Sequence, residues 1–426
     1  MITRREFLAG TAATATAAVV AASASAQGNP SMPSNKMVIS AFNDALDWCW
    51  AYGNWGAAGV ERLMERYQQA NIQRVYWRAN QGSLCWWPTK VGTPYHGIHL
   101  RHPPDIVGRG QDWYTEIDEG FDIRAFDQLA AAGKKAPAHG VDLWVYYTPF
   151  LDDDTGDGWA GDWELAHPEW WRVFRNKVVS NTNMSFGFPE VMDHKLALMK
   201  EILQYPLKGI LLDCVRQHCF LLPDGGVIDE NLVYLGGYEE PIVRAFRAKT
   251  GKDAFAIPNG DEDWVQFRAD YNTEFVRRLR RMIRETKPEV KLGAMVRAKG
   301  AKSGKRIHQG NSLREMLIDL PTWSKEGLID NLLQDSYAPP PTGEQLVDQL
   351  NVSRSQVDAQ KLAVGVEMAL FGKWDLDTVA AAMRGPAAAG AKEFAFYQDT
   401  CFEDLNGRSN SNVWKDLGKV VKPYRI

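Results

Sequence analysis

Short, near-continuous apolar runs alternate along this chain with longer stretches in which apolar residues recur every three or four positions. The short runs read as buried parallel strands and the longer ones as amphipathic helices. Eight strands are predicted: Met37–Phe42, Arg74–Ala79, Asp142–Phe150, Lys208–Val215, Lys291–Arg297, Asp330–Tyr337, Leu362–Leu370 and Glu393–Gln398. Helical spacing falls between them, at Gly59–Ala70, Ile123–Lys134, Pro189–Gln204, Pro241–Thr250, Trp264–Glu285, Leu313–Lys325, Glu344–Gln360 and Asp377–Ala389. Strands separated by helices in this way predict an α/β fold, a (β/α)8 TIM barrel. The long segments 80–120 and 151–185 are rich in aromatic residues and are expected as loops on the C-terminal face of the strands.

The N-terminus breaks the pattern. Arg4 and Arg5 precede Phe7 and Leu8, a weakly apolar Ala/Thr/Val run follows, and Ala24-Ser25-Ala26 offers a small-residue cleavage site. This combination reads as a twin-arginine export signal over residues 1–26, which predicts a periplasmic or extracellular protein. Residues 27–36 then form a linker and 37–426 one barrel. No other segment approaches the ~20 apolar residues needed to cross a bilayer. The net charge of −4 argues against nonspecific nucleic-acid binding, and no basic stripe suggests an anionic membrane surface. Five cysteines show no zinc-ligand spacing.

Candidate chemistry lies where strands end. In the run KGILLDCVRQH, Asp213 interrupts apolar residues, and Arg216 and His218 follow at once. Asp335 closes strand six and Glu367 lies in strand seven. Acids at strand ends converge on the mouth of a barrel, where a rigid strand tip meets a loop-lined cleft. Glycosidic hydrolysis needs two carboxyl groups of unlike proton affinity, and a mouth with neighbouring Arg216 and Arg297 can supply the difference. The bland alternatives are a turn cap for Asp335, ahead of Ser336-Tyr337-Ala338-Pro339, and a core ion pair for Glu367. Trp77-Arg78 and Tyr146-Tyr147 end strands two and three and are candidate wall residues. Arg216, His218, Arg297 and Tyr337 join Trp77, Arg78 and Tyr147 as expected substrate-binding residues.

Ten of the sixteen tryptophans fall in the expected mouth loops, at Trp48, Trp50, Trp55, Trp86, Trp87, Trp113, Trp159, Trp163, Trp170 and Trp171. Their ring faces suit the C–H faces of sugars, although any single one can equally fill space under a loop. No metal or other cofactor is required by this chemistry. A structural calcium is one reading of Asp153 to Glu164, whose oxygen side chains approximate a calcium loop; an acidic exposed turn is the other. The basic run Arg277-Arg278-x-Arg280-Arg281 is expected as a solvated outer helix face.

Three stretches resemble the family-ten-like glycosyl hydrolase barrels. Ala166-His167-Pro168-Glu169-Trp170-Trp171 resembles that family's HPEW element, Phe188-Pro189-Glu190-Val191 its NPEVR helix start, and Gly209-Ile210-Leu211-Leu212-Asp213-Cys214-Val215-Arg216 its DGIHLDYIR strand. The chain departs from the family at Lys208 and at Gln217-His218. The resemblance implies a (β/α)8 barrel acting on a poly- or oligosaccharide, with Asp213 and Arg216 in the site. Retaining glycosidase barrels with acids on strands four and seven suggest Asp213 with Glu367. Barrels resembling α-galactosidases suggest Asp213 with Asp335. A noncatalytic carbohydrate-binding barrel is the alternative, and a sugar isomerase, epimerase or lyase a further one.

Overall fold

The computed structural model describes residues 36–44, 55–95, 122–153, 160–213, 236–297, 299–300, 302–303, 306–307, 309–336, 341–370, 374–402 and 412–426. Eight parallel strands close into a barrel in sequential order. They are β1 (Val38–Asn43), β2 (Arg74–Arg78), β3 (Asp142–Tyr147), β4 (Gly209–Leu212), β5 (Lys291–Arg297), β6 (Asn331–Asp335), β7 (Ala363–Ala369) and β8 (Glu393–Tyr397). Each is followed by a helix: α1 (Gly56–Gln69), α2 (Gln128–Lys135), α3 (Pro189–Ile202), α4 (Glu262–Thr286), α5 (Leu320–Lys325), α6 (Gly343–Arg354), α7 (Leu376–Ala388) and α8 (Val413–Val421). An extra helix, Glu240–Thr250, lies between β4 and α4. No helix among the described residues is long and apolar enough to cross a membrane.

Strand alternation sorts the core into two shells. Side chains turned outward pack with the helices in one large apolar cluster that includes Ile39, Val75, Trp77, Val145, Tyr147, Ile210, Val296 and Val366. Those turned inward form a second cluster of Phe42, Tyr76, Trp144, Tyr146, Leu211, Met295, Leu333, Ala395 and Tyr397. At its base Glu393 accepts hydrogen bonds from Ser40 Oγ (2.6 Å) and Tyr76 Oη (2.6 Å), and pairs with Arg74 at 2.7 Å. The Arg74 guanidinium also lies 4.2 Å from the Trp144 ring centre.

Space inside the barrel is tight. Gly209 is the register partner of Trp144, and a Cβ at Gly209 would lie 2.4 Å from the indole. Gly209→Ala is therefore expected to cost about 1–3 kcal/mol through overpacking. Urea denaturation of the variant beside the wild type measures it, and an unchanged midpoint would contradict the packing argument.

Two helix expectations are revised. The predicted helix Leu313–Lys325 is two pieces, Ser312–Met316 and α5, because Leu317 adopts a left-handed conformation (φ 56°) and the Asp319 side chain caps α5 afresh. The basic face of α4 is not simply solvated. Arg277 pairs with Glu326 at 2.6 Å, Arg278 with Asp193 at 2.5 Å and Arg280 with Asp330 at 2.9 Å, tying α4 to its neighbours.

Candidate active site

Inward positions at the C-terminal rim come one from each strand. Asp44 continues the inward series of Phe42, Arg78 that of Tyr76, Asp213 that of Leu211, Arg297 that of Met295 and Asp335 that of Leu333. Tyr146 and Tyr397 are inward themselves. Glu367 is the register partner of Ala395 and so faces inward as well. Asp44, Arg78, Tyr146, Asp213, Arg297, Asp335, Glu367 and Tyr397 are all buried. Four acids and two guanidinium groups thus ring one mouth.

Their contacts divide the acids. Arg78 pairs with Asp44 at 3.0 Å and donates from Nε to the Asn80 carbonyl at 2.8 Å. Arg297 pairs with Asp335 at 3.0 Å, and the register of β5 and β6 places the two side by side. Asp213 accepts a hydrogen bond from Tyr146 Oη at 2.8 Å, while its own backbone N–H is held by the Tyr147 carbonyl at 2.9 Å. Glu367 lies level with Asp335 on the neighbouring strand, fully buried. Asp44 and Asp335 thus each meet a guanidinium, and Asp213 meets a phenol.

The sequence-derived residues fall unevenly. Asp213, Asp335, Glu367, Arg78 and Arg297 come together at the mouth. Trp77 and Tyr147 do not: each is one step out of phase with its inward neighbour and packs between sheet and helices. Alternation splits both dipeptides, leaving Arg78 and Tyr146 inside. Arg216, His218 and Tyr337 lie outside the described residues, as do the export signal and Trp48, Trp50, Trp113 and Trp159. Asp44 and Tyr397 were absent from the sequence-based set. Asp44 could have been found by counting two residues on from Phe42.

Two loop tryptophans fill space and do not line a surface. Trp86 is buried and stacks on Tyr95 at 4.3 Å, and buried Trp87 donates from its indole to Glu201 at 3.1 Å. Trp163 and Trp170 are half-buried in an aromatic ladder: Trp163 stacks on His194 at 3.8 Å, and His167 on Trp170 at 3.8 Å. The His-Pro-Glu-Trp element thus fixes the loop after β3 by ring stacking.

The same loop is anchored beneath by charge. Lys195 of α3 reaches Asp152 and, at 3.0 Å, Glu164, whose carboxylate also lies 3.5 Å from His194. Met184 N–H donates to Asp152 at 2.7 Å. Glu164 is therefore not part of an exposed acidic turn, since its carboxylate is buried against an ammonium; residues 154–159 of that loop lie outside the described residues. Burial alone would raise the Glu164 carboxyl, but Lys195 and then His194 outweigh it and hold the group at about 2, against 4.5. Burial instead raises Asp152, only partly opposed by Lys195. Because the folded Glu164 carboxyl is depressed, its stabilisation is complete above about pH 4.5 and lost as pH falls through about 2. Urea titrations of Glu164→Gln and wild type should therefore differ most near about pH 7 and converge on acidification. A gap that widens in acid would contradict the assignment.

Residues 160–370 match the family model described as glycosyl hydrolase-like 10, in agreement with the resemblance read from the motifs. The fold is shared with the PgaB (BpsB) glycoside hydrolase domain from Bordetella bronchiseptica, at TM-score 0.58 and 12% identity over 91% of this chain and 98% of that one. It is shared with the catalytic domain of β-amylase from Paenibacillus polymyxa, at 0.56 and 10% over 92% and 99%. α-L-Fucosidase isoenzyme 2 from Paenibacillus thiaminolyticus matches at 0.56 and 13% over 91% of this chain and 49% of its own. A search of curated proteins finds no significant match. Residues 160–370 are thus similar to a glycoside hydrolase-like family, and the barrel fold is shared with these solved structures.

Proposed function

We propose that this protein hydrolyses a poly- or oligosaccharide at the barrel mouth, using Asp213 and Glu367 as its two carboxyl groups. The observation that carries the reading is the mouth itself: four acids converge there, of which Asp44 and Asp335 are engaged by Arg78 and Arg297. Hydrolysis of a glycosidic bond needs one carboxyl to protonate the leaving oxygen and one to attack carbon or activate water. Asp213, just past the end of β4 and held by the Tyr146 phenol, and Glu367, on β7, are assigned these two roles. Asp335 with Arg297 then shapes the floor beside Glu367. The twin-arginine pair supports action outside the cytoplasm, where polysaccharide is encountered.

Reducing-end release and product analysis over a broad glycan panel test the reading, with Asp213→Asn beside the wild type. Sugar release by the wild type, lost at least ~10²-fold in the variant, supports it. A glycan that raises the melting temperature of both proteins while neither cleaves anything would instead indicate a binding barrel.

A further inference from the structure

Asp213 is reached from one side by a connected series of side chains. Tyr397 Oη donates to Asp44 at 3.4 Å, and Asp44 pairs with Arg78 at 3.0 Å. The Arg78 guanidinium carbon lies 5.2 Å from the centre of the Tyr146 ring, within cation–π range. Tyr146 Oη donates to Asp213 at 2.8 Å. Arg78 and Tyr146 are register partners at the ends of adjacent strands, so the stack is set by the sheet. Phe42 closes the other flank of Tyr146, edge-on at 5.1 Å.

We propose that Tyr146, braced by Arg78 and Asp44, is a positioning residue that fixes the orientation and proton affinity of Asp213. A phenol donating to a carboxylate favours the ionised form and selects one rotamer of the acid. The brace works on the phenol. Arg78 has its charge answered by Asp44 and its Nε occupied by the Asn80 carbonyl, so it holds the Tyr146 ring and the ring holds the acid. Among the described residues, the other charged or titratable groups facing this space are Arg297 on β5, Asp335 on β6, Glu367 on β7 and Tyr397 on β8. Lys195, Asp152 and Glu164 form their own cluster around α3 and the loop after β3. Arg297 is engaged by Asp335.

The kinetic consequence rests on the hydrolase reading, but the titration of Asp213 does not. Infrared difference titration, wild type minus Asp213→Asn, reads the Asp213 carboxylate directly without substrate. In Tyr146→Phe the midpoint should rise by about one pH unit, the worth of one hydrogen bond to a charged group. Arg78→Met should raise it in the same direction by less. In the Tyr146→Phe background Arg78→Met should add nothing, because the brace acts through the phenol. If a glycan is cleaved, the limb of kcat/KM that follows Asp213 should move by the same amount in Tyr146→Phe. An unmoved Asp213 titration in a folded Tyr146→Phe protein overturns the proposal. So does an Arg78→Met shift of equal size with and without Tyr146, which would mean that the guanidinium acts on Asp213 by its charge alone. Moved titrations with no cleaved glycan would leave the positioning role standing and count against the hydrolase reading only.

Discussion

Asp213→Asn and Asp335→Asn are expected to fail in different ways. The first should leave stability nearly unchanged and lower glycan turnover by about 10²–10⁴-fold, because the amide keeps the shape of the acid but can neither donate a proton nor act as base or nucleophile. Tyr146 Oη, 2.8 Å from the Asp213 carboxylate, can donate to the amide oxygen in its place. The second removes the charge that answers Arg297 in a pair whose side chains are 4% and 5% exposed. Breaking such a pair from one side costs about 3–5 kcal/mol, since the guanidinium stays buried with one counter-charge fewer. Its loss of activity should follow its loss of folded protein, and turnover per folded molecule should fall far less than in Asp213→Asn. Urea denaturation beside steady-state rates separates the two. An Asp335→Asn protein of wild-type stability with no turnover would move the second catalytic role from Glu367 to Asp335.

Lys195→Met should be among the most destabilising single changes in the chain, at about 3–5 kcal/mol. The side chain is 3% exposed and serves two carboxylates that are each 1% exposed, Asp152 and Glu164. Burial disfavours the ammonium, yet Asp152 and Glu164 outweigh it and drive the Lys195 amine well above its ordinary range. Met fills the space but leaves two buried acids without the ammonium they share, and His194, 3.5 Å from Glu164, answers only one of them. The double change with Glu164→Gln should recover part of the loss, since one of the two stranded charges is gone. Guanidinium or urea midpoints measure both. A Lys195→Met protein within about 1 kcal/mol of wild type would show that the cluster is not a load-carrying anchor of the β3 loop.

Much of this architecture is legible in the sequence because the barrel writes its strands as short apolar runs. All eight observed strands lie within or beside the predicted runs, and Asp213, Arg297 and Asp335 stand at or just beyond the ends of the observed strands. The direction of each side chain was harder to read. A dipeptide such as Trp77-Arg78 contains one inward and one outward residue, and composition alone favours the aromatic one; the count from Tyr76 selects Arg78. Pairing between distant segments is not written locally at all. Tyr397 and Asp44 meet because β8 closes on β1, and Lys195 meets Asp152 because α3 packs under the loop after β3. For the same reason Glu164, in an apparently exposed acidic turn, and Arg277, Arg278 and Arg280, in an apparently solvated row, have partners on other elements. The split of Leu313–Lys325 depends on one left-handed residue, Leu317, whose side chain gives no warning of it.

The central claim is that Asp213 and Glu367 act as one catalytic unit. It is tested most directly by measuring sugar release for Asp213→Asn, Glu367→Gln and the double variant against the wild type, on whichever glycan the panel identifies. Groups that act together are non-additive, so each single change should cost at least ~10²-fold and the double change little more than the worse single one. Wild-type sugar release in either single variant, or a double loss equal to the product of two modest single losses, would contradict the account.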